Sequence, residues 1–244
     1  MKKILFPTLA VIAGLNLTAY AITFSGTAIG SWNDPNTESG WSHWNIANND
    51  HGGVSKVTWG DPAYCFDKPS YLQFDGAGSD SDALPPSWSS DQYVNNPFLL
   101  GSLTYYNGTQ WSNTGLEGVD LAMKVSITGP LPAYGDLPVL EFGMGINNTI
   151  NPNGDTVLFL DVPDPIGFTY GGQNYSFEIL GFSLDNGINM TRQIYACEGG
   201  TKLGNFYARI SSTGGGTTVP DNCSTVVLLG LVAIGLGALK AKFA

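Results

Sequence analysis

From residue 119 to residue 128 the chain alternates strictly. Val119, Leu121, Met123, Val125 and Ile127 are apolar, with Asp120, Lys124 and Thr128 among the positions between and after them. A period of two is the mark of a strand with one face on a core and the other in water. Tyr175, Phe177 and Ile179 repeat it around Ser176 and Glu178, and Phe206, Ala208 and Ile210 repeat it around Tyr207 and Arg209. Residues 54–59, 98–106, 139–144 and 156–160 read as further strands. Turn formers separate the runs: Asn151-Pro152-Asn153-Gly154, Asp164-Pro165, Gly171-Gly172 and Asp185-Asn186-Gly187. About ten strands at this spacing, with no long helical period between the termini, predict an all-β fold. The expected architecture is a single β-sandwich, jelly-roll-like, over residues 22–212. Residues 33–53, polar and rich in Gly and Asn, read as a long loop.

The two ends carry a different pattern. Met1-Lys2-Lys3 precedes an apolar run from residue 4 to 17, and Ala19-Tyr20-Ala21 then supplies the small residues that a signal peptidase accepts. Residues 1–21 are therefore expected to be a signal peptide cleaved after Ala21. An uncleaved anchor is the rival, and the run is short for one. Residues 213–218 form a Ser/Thr/Gly linker, and residues 219–244 follow as a polar heptad, an apolar run and terminal lysines. A membrane span is expected at about residues 224–240, with Lys240 and Lys242 on the cytoplasmic side.

Val219-Pro220-Asp221 before Ser224-Thr225, the Leu/Gly/Ala-rich span and the terminal basic residues resemble the bacterial VPDSG-CTERM sorting signal of the PEP-CTERM group. The family pattern has Ser and Gly where this chain has Asn222 and Cys223. The resemblance implies an exosortase-like protease as partner, and a tail that holds the protein at the membrane until it is processed. A GPI signal is the eukaryotic rival, for which terminal lysines are atypical. Cys223, at the membrane junction, is either a lipid attachment point or a small anchor residue.

A second resemblance covers the interior, from about residue 24 to residue 212. Val57-Thr58-Trp59-Gly60, Ser70-Tyr71-Leu72-Gln73-Phe74-Asp75-Gly76 and the stretch from Phe98 to Gly108 are similar to successive blocks of the choice-of-anchor K domain. Residues 175–182 and Glu198-Gly199-Gly200 leading into Phe206-Tyr207-Ala208-Arg209-Ile210 continue the order. The resemblance implies surface display beside an anchoring signal and carries no catalytic residues. Where such domains often hold a His before the Glu-Gly-Gly turn, this chain has Ile194-Tyr195-Ala196-Cys197.

Charge narrows the partners. The chain has 20 Asp and Glu against 10 Lys and Arg. All the acids lie between the terminal segments, whereas Lys2, Lys3, Lys240 and Lys242 lie within them, so the interior carries about −14. No basic stripe exists to displace phosphate counterions, which excludes nucleic acid as a partner. Export into oxidising surroundings makes Cys65–Cys197 a candidate disulfide.

Candidate chemistry is sparse. His43 and His51 are the available histidines, and no G-x-S-x-G elbow accompanies them. Asp75, Asp80 and Asp82 stand in a Gly/Ser-rich stretch that could supply oxygen ligands to calcium, which takes roughly six to eight of them. A solvated acidic loop is the simpler alternative. Asp155, Asp161 and Asp164 form a weaker cluster. Glycoside hydrolysis would need two carboxylates facing each other across a cleft, roughly 5–10 Å apart. Of the six tryptophans, Trp41, Trp44 and Trp111 sit in polar surroundings where a flat ring could stack on a sugar. The alternative for these rings is burial at the ends of the sandwich. The expected function is that of an exported, non-enzymatic bacterial cell-surface or extracellular-matrix protein. The alternative is a carbohydrate-binding module that uses those tryptophans, with calcium as a further organiser and no other cofactor.

Overall fold

The computed structural model describes residues 22–48, 54–65, 67–78, 87–90, 95–149 and 154–213. The expected signal peptide with Ala19 and Ala21, and the sorting segment from Val219 to Thr225 with the span behind it, lie outside the described residues. In chain order the strands begin with β1 (Ser25–Thr37), β2 (Trp44–Ala47), β3 (Ser55–Trp59), β4 (Ser70–Gly76) and β5 (Trp88–Ser89). They continue with β6 (Pro97–Tyr106), β7 (Leu116–Gly129), β8 (Gly135–Asp136), β9 (Leu140–Asn147) and β10 (Asp155–Phe159). The last are β11 (Ile166–Tyr170), β12 (Gln173–Ser183), β13 (Met190–Thr191), β14 (Gln193–Ala196) and β15 (Thr201–Ser212). No helix occurs among the described residues, so the interior is all-β, as the alternation predicts.

Two antiparallel sheets result. One has the order β14-β10-β9-β7-β1-β5 with β8 on β7; the other has the order β11-β12-β15-β6-β4-β3-β2 with β13 on β12. Their inner faces carry the alternating apolar positions and meet in one core. Phe206 of β15 lies at its centre, with ring centroids 5.6 Å from both Phe142 of β9 and Phe159 of β10 in the opposite sheet. Phe182 and Phe74 of its own sheet stand 5.0 and 6.1 Å away. The contacts between Phe206 and these rings are edge-to-face, the arrangement that sets the positive ring edge on the negative ring face.

One lateral edge is closed by hydrogen bonds between the sheets. The Ala28 amide donates to the Ala77 carbonyl at 2.8 Å, and the Trp32 indole donates to the Ser55 carbonyl at 3.0 Å. Approach this close requires small residues. A Cβ on Gly76 would overlap the Ala28 carbonyl oxygen, and one on Gly30 would enter the Phe74 ring. At one end of the sandwich Phe24 meets Phe168, Tyr170 and Tyr175 edge-on, and Trp88 stacks on Phe98. That end is sealed by aromatic rings.

The expectation of a long loop at 33–53 is corrected in part. β1 extends through Asn33 to Thr37, paired with β7 across a bulge between Asn33 and Asn36, and Trp44–Ala47 forms β2 against β3. β1 escapes an apolar reading because its inner face is Gly26, Ala28, Gly30 and Trp32. β2 is an edge strand with mostly exposed residues, so it shows no alternation.

Replacing Phe206 with Ala is expected to cost about 3–5 kcal/mol, since a ring shared by both sheets leaves a cavity that neither can close. Replacing the exposed Trp41 with Ala is expected to change stability by no more than about 0.5 kcal/mol. Urea unfolding of the full chain, followed by circular dichroism, checks both.

Candidate functional site

The other end of the sandwich is open. There the exit of β1, the β6–β7 connection, the β9–β10 connection and the turn between β14 and β15 surround a groove of about 580 Å³. Glu38, Gln110, Trp111, Glu117, Asp155 and Glu198 are among the residues that line it. Each comes from a connection or a strand end, so separate loops assemble the groove on a fixed β scaffold.

Hydrogen bonds tie these loops together. Asn148 Nδ2 donates to Glu38 Oε1 and, at 2.8 Å, to the Leu116 carbonyl. The Gly115 amide donates to Glu38 Oε2 at 3.4 Å, and Asn36 Nδ2 donates to Glu117 Oε2 at 3.3 Å. Asp155 Oδ1 accepts from the Thr149 amide at 2.7 Å and from the Thr149 hydroxyl at 3.1 Å.

The six tryptophans divide into two groups. Trp32, Trp59 and Trp88 are buried in the core, whereas Trp41, Trp44 and Trp111 are 80%, 48% and 62% exposed. The segments bearing the exposed three are bound to one another. Ser39 Oγ donates to the Asn113 carbonyl at 2.7 Å and accepts from the Trp41 amide at 3.1 Å. The Trp111 amide donates to the Asp61 carbonyl at 2.9 Å, and the Asp61 carboxylate pairs with His43 Nδ1 at 2.8 Å. The Thr114 hydroxyl donates to the Trp111 carbonyl at 2.8 Å and accepts from the Asp61 amide at 3.1 Å. Three large apolar rings are thus held in solvent on braced backbone, although burying an indole is among the larger gains a core can make.

Electrostatics mark the floor of the groove. Burial pushes the Asp155 carboxyl up from its ordinary value, against the two Thr149 hydrogen bonds, and Glu38 adds to the rise. Burial also raises Glu198, with Asp155 and Asp67 adding to it and the Thr109 hydroxyl opposing it. The Tyr105 phenol is raised by burial and then by Asp155 and Glu198, which places these three groups within one another's field. The Tyr105 hydroxyl, Asn107 Oδ1 and Gln110 Oε1 are buried without a hydrogen-bond partner among the described residues.

The remaining sequence candidates fall elsewhere. Cys65 and Cys197 are free and exposed; no disulfide joins them. Cys197 Sγ instead lies 3.8 Å from the Tyr195 hydroxyl. Asp75 is buried within β4 rather than standing in a flexible turn, and Asp80 and Asp82 lie outside the described residues. Asp155 belongs to the groove, whereas Asp161 acts on Asp120, which burial raises first and Asp34, Glu141 and Asp161 raise further. Among the described residues no group of three or more His, Cys, Asp or Glu side chains is arranged to hold a metal ion. Glu38, Gln110 and Glu198 were not singled out as site residues from sequence. They are scattered along the chain, and only the meeting of four connections joins them.

No protein-family model and no curated protein matches the chain.

The raised carboxyls carry a sign for stability. Asp155, Glu198 and Asp120 hold protons more readily in the fold than an unfolded carboxyl does. Their stabilising contribution is complete below the ordinary carboxylate value and is lost as pH rises through their raised values. Asp185 acts in the opposite sense. The Asn189 amide and the side chains of Ser183 and Asn189 hold it down from 3.8 to about 2, so its contribution is lost as pH falls through that interval. The melting temperature is therefore expected to rise as neutral solution is acidified toward the ordinary carboxylate value and to fall on further acidification. Asp155→Asn is expected to flatten the rise and leave the fall. Calorimetric melting across pH checks both arms.

Proposed function

We propose that this is an exported, non-enzymatic cell-surface or extracellular-matrix protein whose β domain binds polysaccharide at its open end. The observation that carries the binding reading is the division of the tryptophans. The chain places Trp32, Trp59 and Trp88 in its core and holds Trp41, Trp44 and Trp111 in solvent on segments braced around a polar groove. Flat rings beside hydrogen-bonding amides and carboxylates suit a sugar, which presents an apolar C–H face and a hydroxylated rim. The export reading is supported by the basic, apolar and small-residue order of residues 1–21 and by the resemblance of the tail to a VPDSG-CTERM signal. In this reading residues 224–240 hold the chain briefly in the membrane, and an exosortase-like protease then processes it. The interior is a jelly-roll-like sandwich of the choice-of-anchor K kind.

A second reading is favoured by one observation: the groove holds two carboxyls, Asp155 and Glu198, both raised by burial. Such a pair in a concave site is what a glycoside hydrolase would use. Release of reducing ends from a bound polysaccharide would establish that reading, and its absence with binding intact would remove it.

Trp111→Ala is expected to weaken polysaccharide binding by about ten-fold or more, with the melting temperature unchanged. Affinity electrophoresis of the full chain through polysaccharide gels checks this. For the export half, intact-mass analysis of the native protein is expected to find Ile22 at the amino end and the apolar run 226–239 removed.

A further inference from the structure

We infer that the sealed end of the sandwich is a membrane-facing surface. It rests on the lipid headgroups through the tip of the β7–β8 connection, Leu131 to Tyr134, and turns the open end away from the bilayer. This rests on the export reading above, in which residues 224–240 hold the chain in the membrane. The interior carries about −14, yet its sealed end bears no charge among the described residues. Residues 22–25, 87–90, 95–98, 129–135, 168–175 and 210–213 meet there. They include no Asp, Glu, Lys, Arg or His. Among the described residues, the charged neighbours next to them along the chain are Asp136 and Arg209. Both are held in ion pairs, with Lys124 at 2.8 Å and Glu178 at 2.6 Å. Anionic lipid repels an acidic face, and an unpaired charge is costly near hydrocarbon, so this is the face that approaches a bilayer at least cost.

The tip is shaped for such an interface. Leu131, Pro132, Ala133 and Tyr134 are consecutive, uncharged and exposed, with Leu131 at 84%. A leucine held that far into solvent gains from partial burial among headgroups, and tyrosine is a ring enriched at that depth. The tip is also braced. The Tyr170 hydroxyl of β11 donates a proton shared between the Pro130 carbonyl at 3.1 Å and the Leu131 carbonyl at 3.0 Å, and the Tyr134 ring lies 5.2 Å from Phe168. Connectivity brings the same end to the bilayer. β1 enters there, with Ser25 opposite Gly129, and β15 leaves there, with Ser212 opposite Tyr175. Residues 213–223 separate Ser212 from the expected span, and a link of that length reaches about 40 Å at full extension. So short a tether keeps the local concentration of lipid high, and a contact too weak to recruit a free protein is then sufficient.

The test replaces Leu131, Ala133 or, as control, Trp111 of the open end by the photo-crosslinker p-benzoylphenylalanine in the full chain. Each protein is reconstituted in vesicles of phosphatidylethanolamine and phosphatidylglycerol, floated on a density gradient, irradiated and weighed by intact-mass spectrometry. Residue 131 is expected to yield lipid adducts at about ten-fold the level of residue 111. That excess is expected to persist in high salt, because the contact is apolar and not a charge attraction. Leu131→Asp is expected to lower the adducts from residue 133 about five-fold while the protein still floats, since the leucine contact is lost and the tail is intact. Equal adducts at residues 131 and 111, or adducts from residue 131 to a second copy of the chain in place of lipid, would overturn the inference and leave the export reading standing. Absence of the chain from the floated vesicles would overturn both.

Discussion

The fold depends on a shared aromatic core. Phe206 touches Phe142 and Phe159 across the gap between the sheets and Phe74 and Phe182 within its own. Because one ring contacts both layers, neither sheet buries its inner face without the other. The close approach of β1 to β3 and β4 has the same origin. Gly30 keeps that face of β1 low enough for the Phe74 ring, and Gly76 leaves room for the Ala28 backbone beside the Ala28–Ala77 hydrogen bond. Large rings in the middle and small residues at this edge together set the spacing of the sandwich.

The two ends then part in character. Around Phe24 and Trp88 the rings close on one another and exclude water. Around Trp111 the chain leaves indoles in solvent and gathers four carboxylates in one groove. Each feature works against stability by itself, and their convergence at one end is the usual relation between a rigid scaffold and a binding surface. Bracing through Asp61, Thr114 and Ser39 limits the ordering that a ligand would have to impose.

Legibility in the sequence followed the size of the inward side chains. β7, β12 and β15 put Leu, Met, Val, Ile, Phe and Tyr on the core face, so a period of two was visible. β1 hid because its core face is largely Gly and Ala, and β2 because an exposed edge strand needs no alternation. Polar surroundings left Trp41, Trp44 and Trp111 open either to exposure or to burial at the sandwich ends, and the equally polar run around Trp88 accompanies a buried ring. Of the groove carboxylates only Asp155 left a local trace, in a cluster with Asp161 and Asp164 that the fold does not keep together at the groove. Glu38, Asp155 and Glu198 become neighbours through the order of strands in the sheets, which no short spacing encodes.

The claim that the open end is the working surface is tested most directly by fluorine NMR of the full chain with 5-fluorotryptophan at all six positions. The account predicts three resonances sensitive to solvent isotope, assigned by substitution to Trp41, Trp44 and Trp111. Added polysaccharide that the chain binds in affinity electrophoresis should move signals from that set and leave those of Trp32, Trp59 and Trp88 in place. Six solvent-protected resonances, or sugar-induced shifts confined to the core tryptophans, would contradict it.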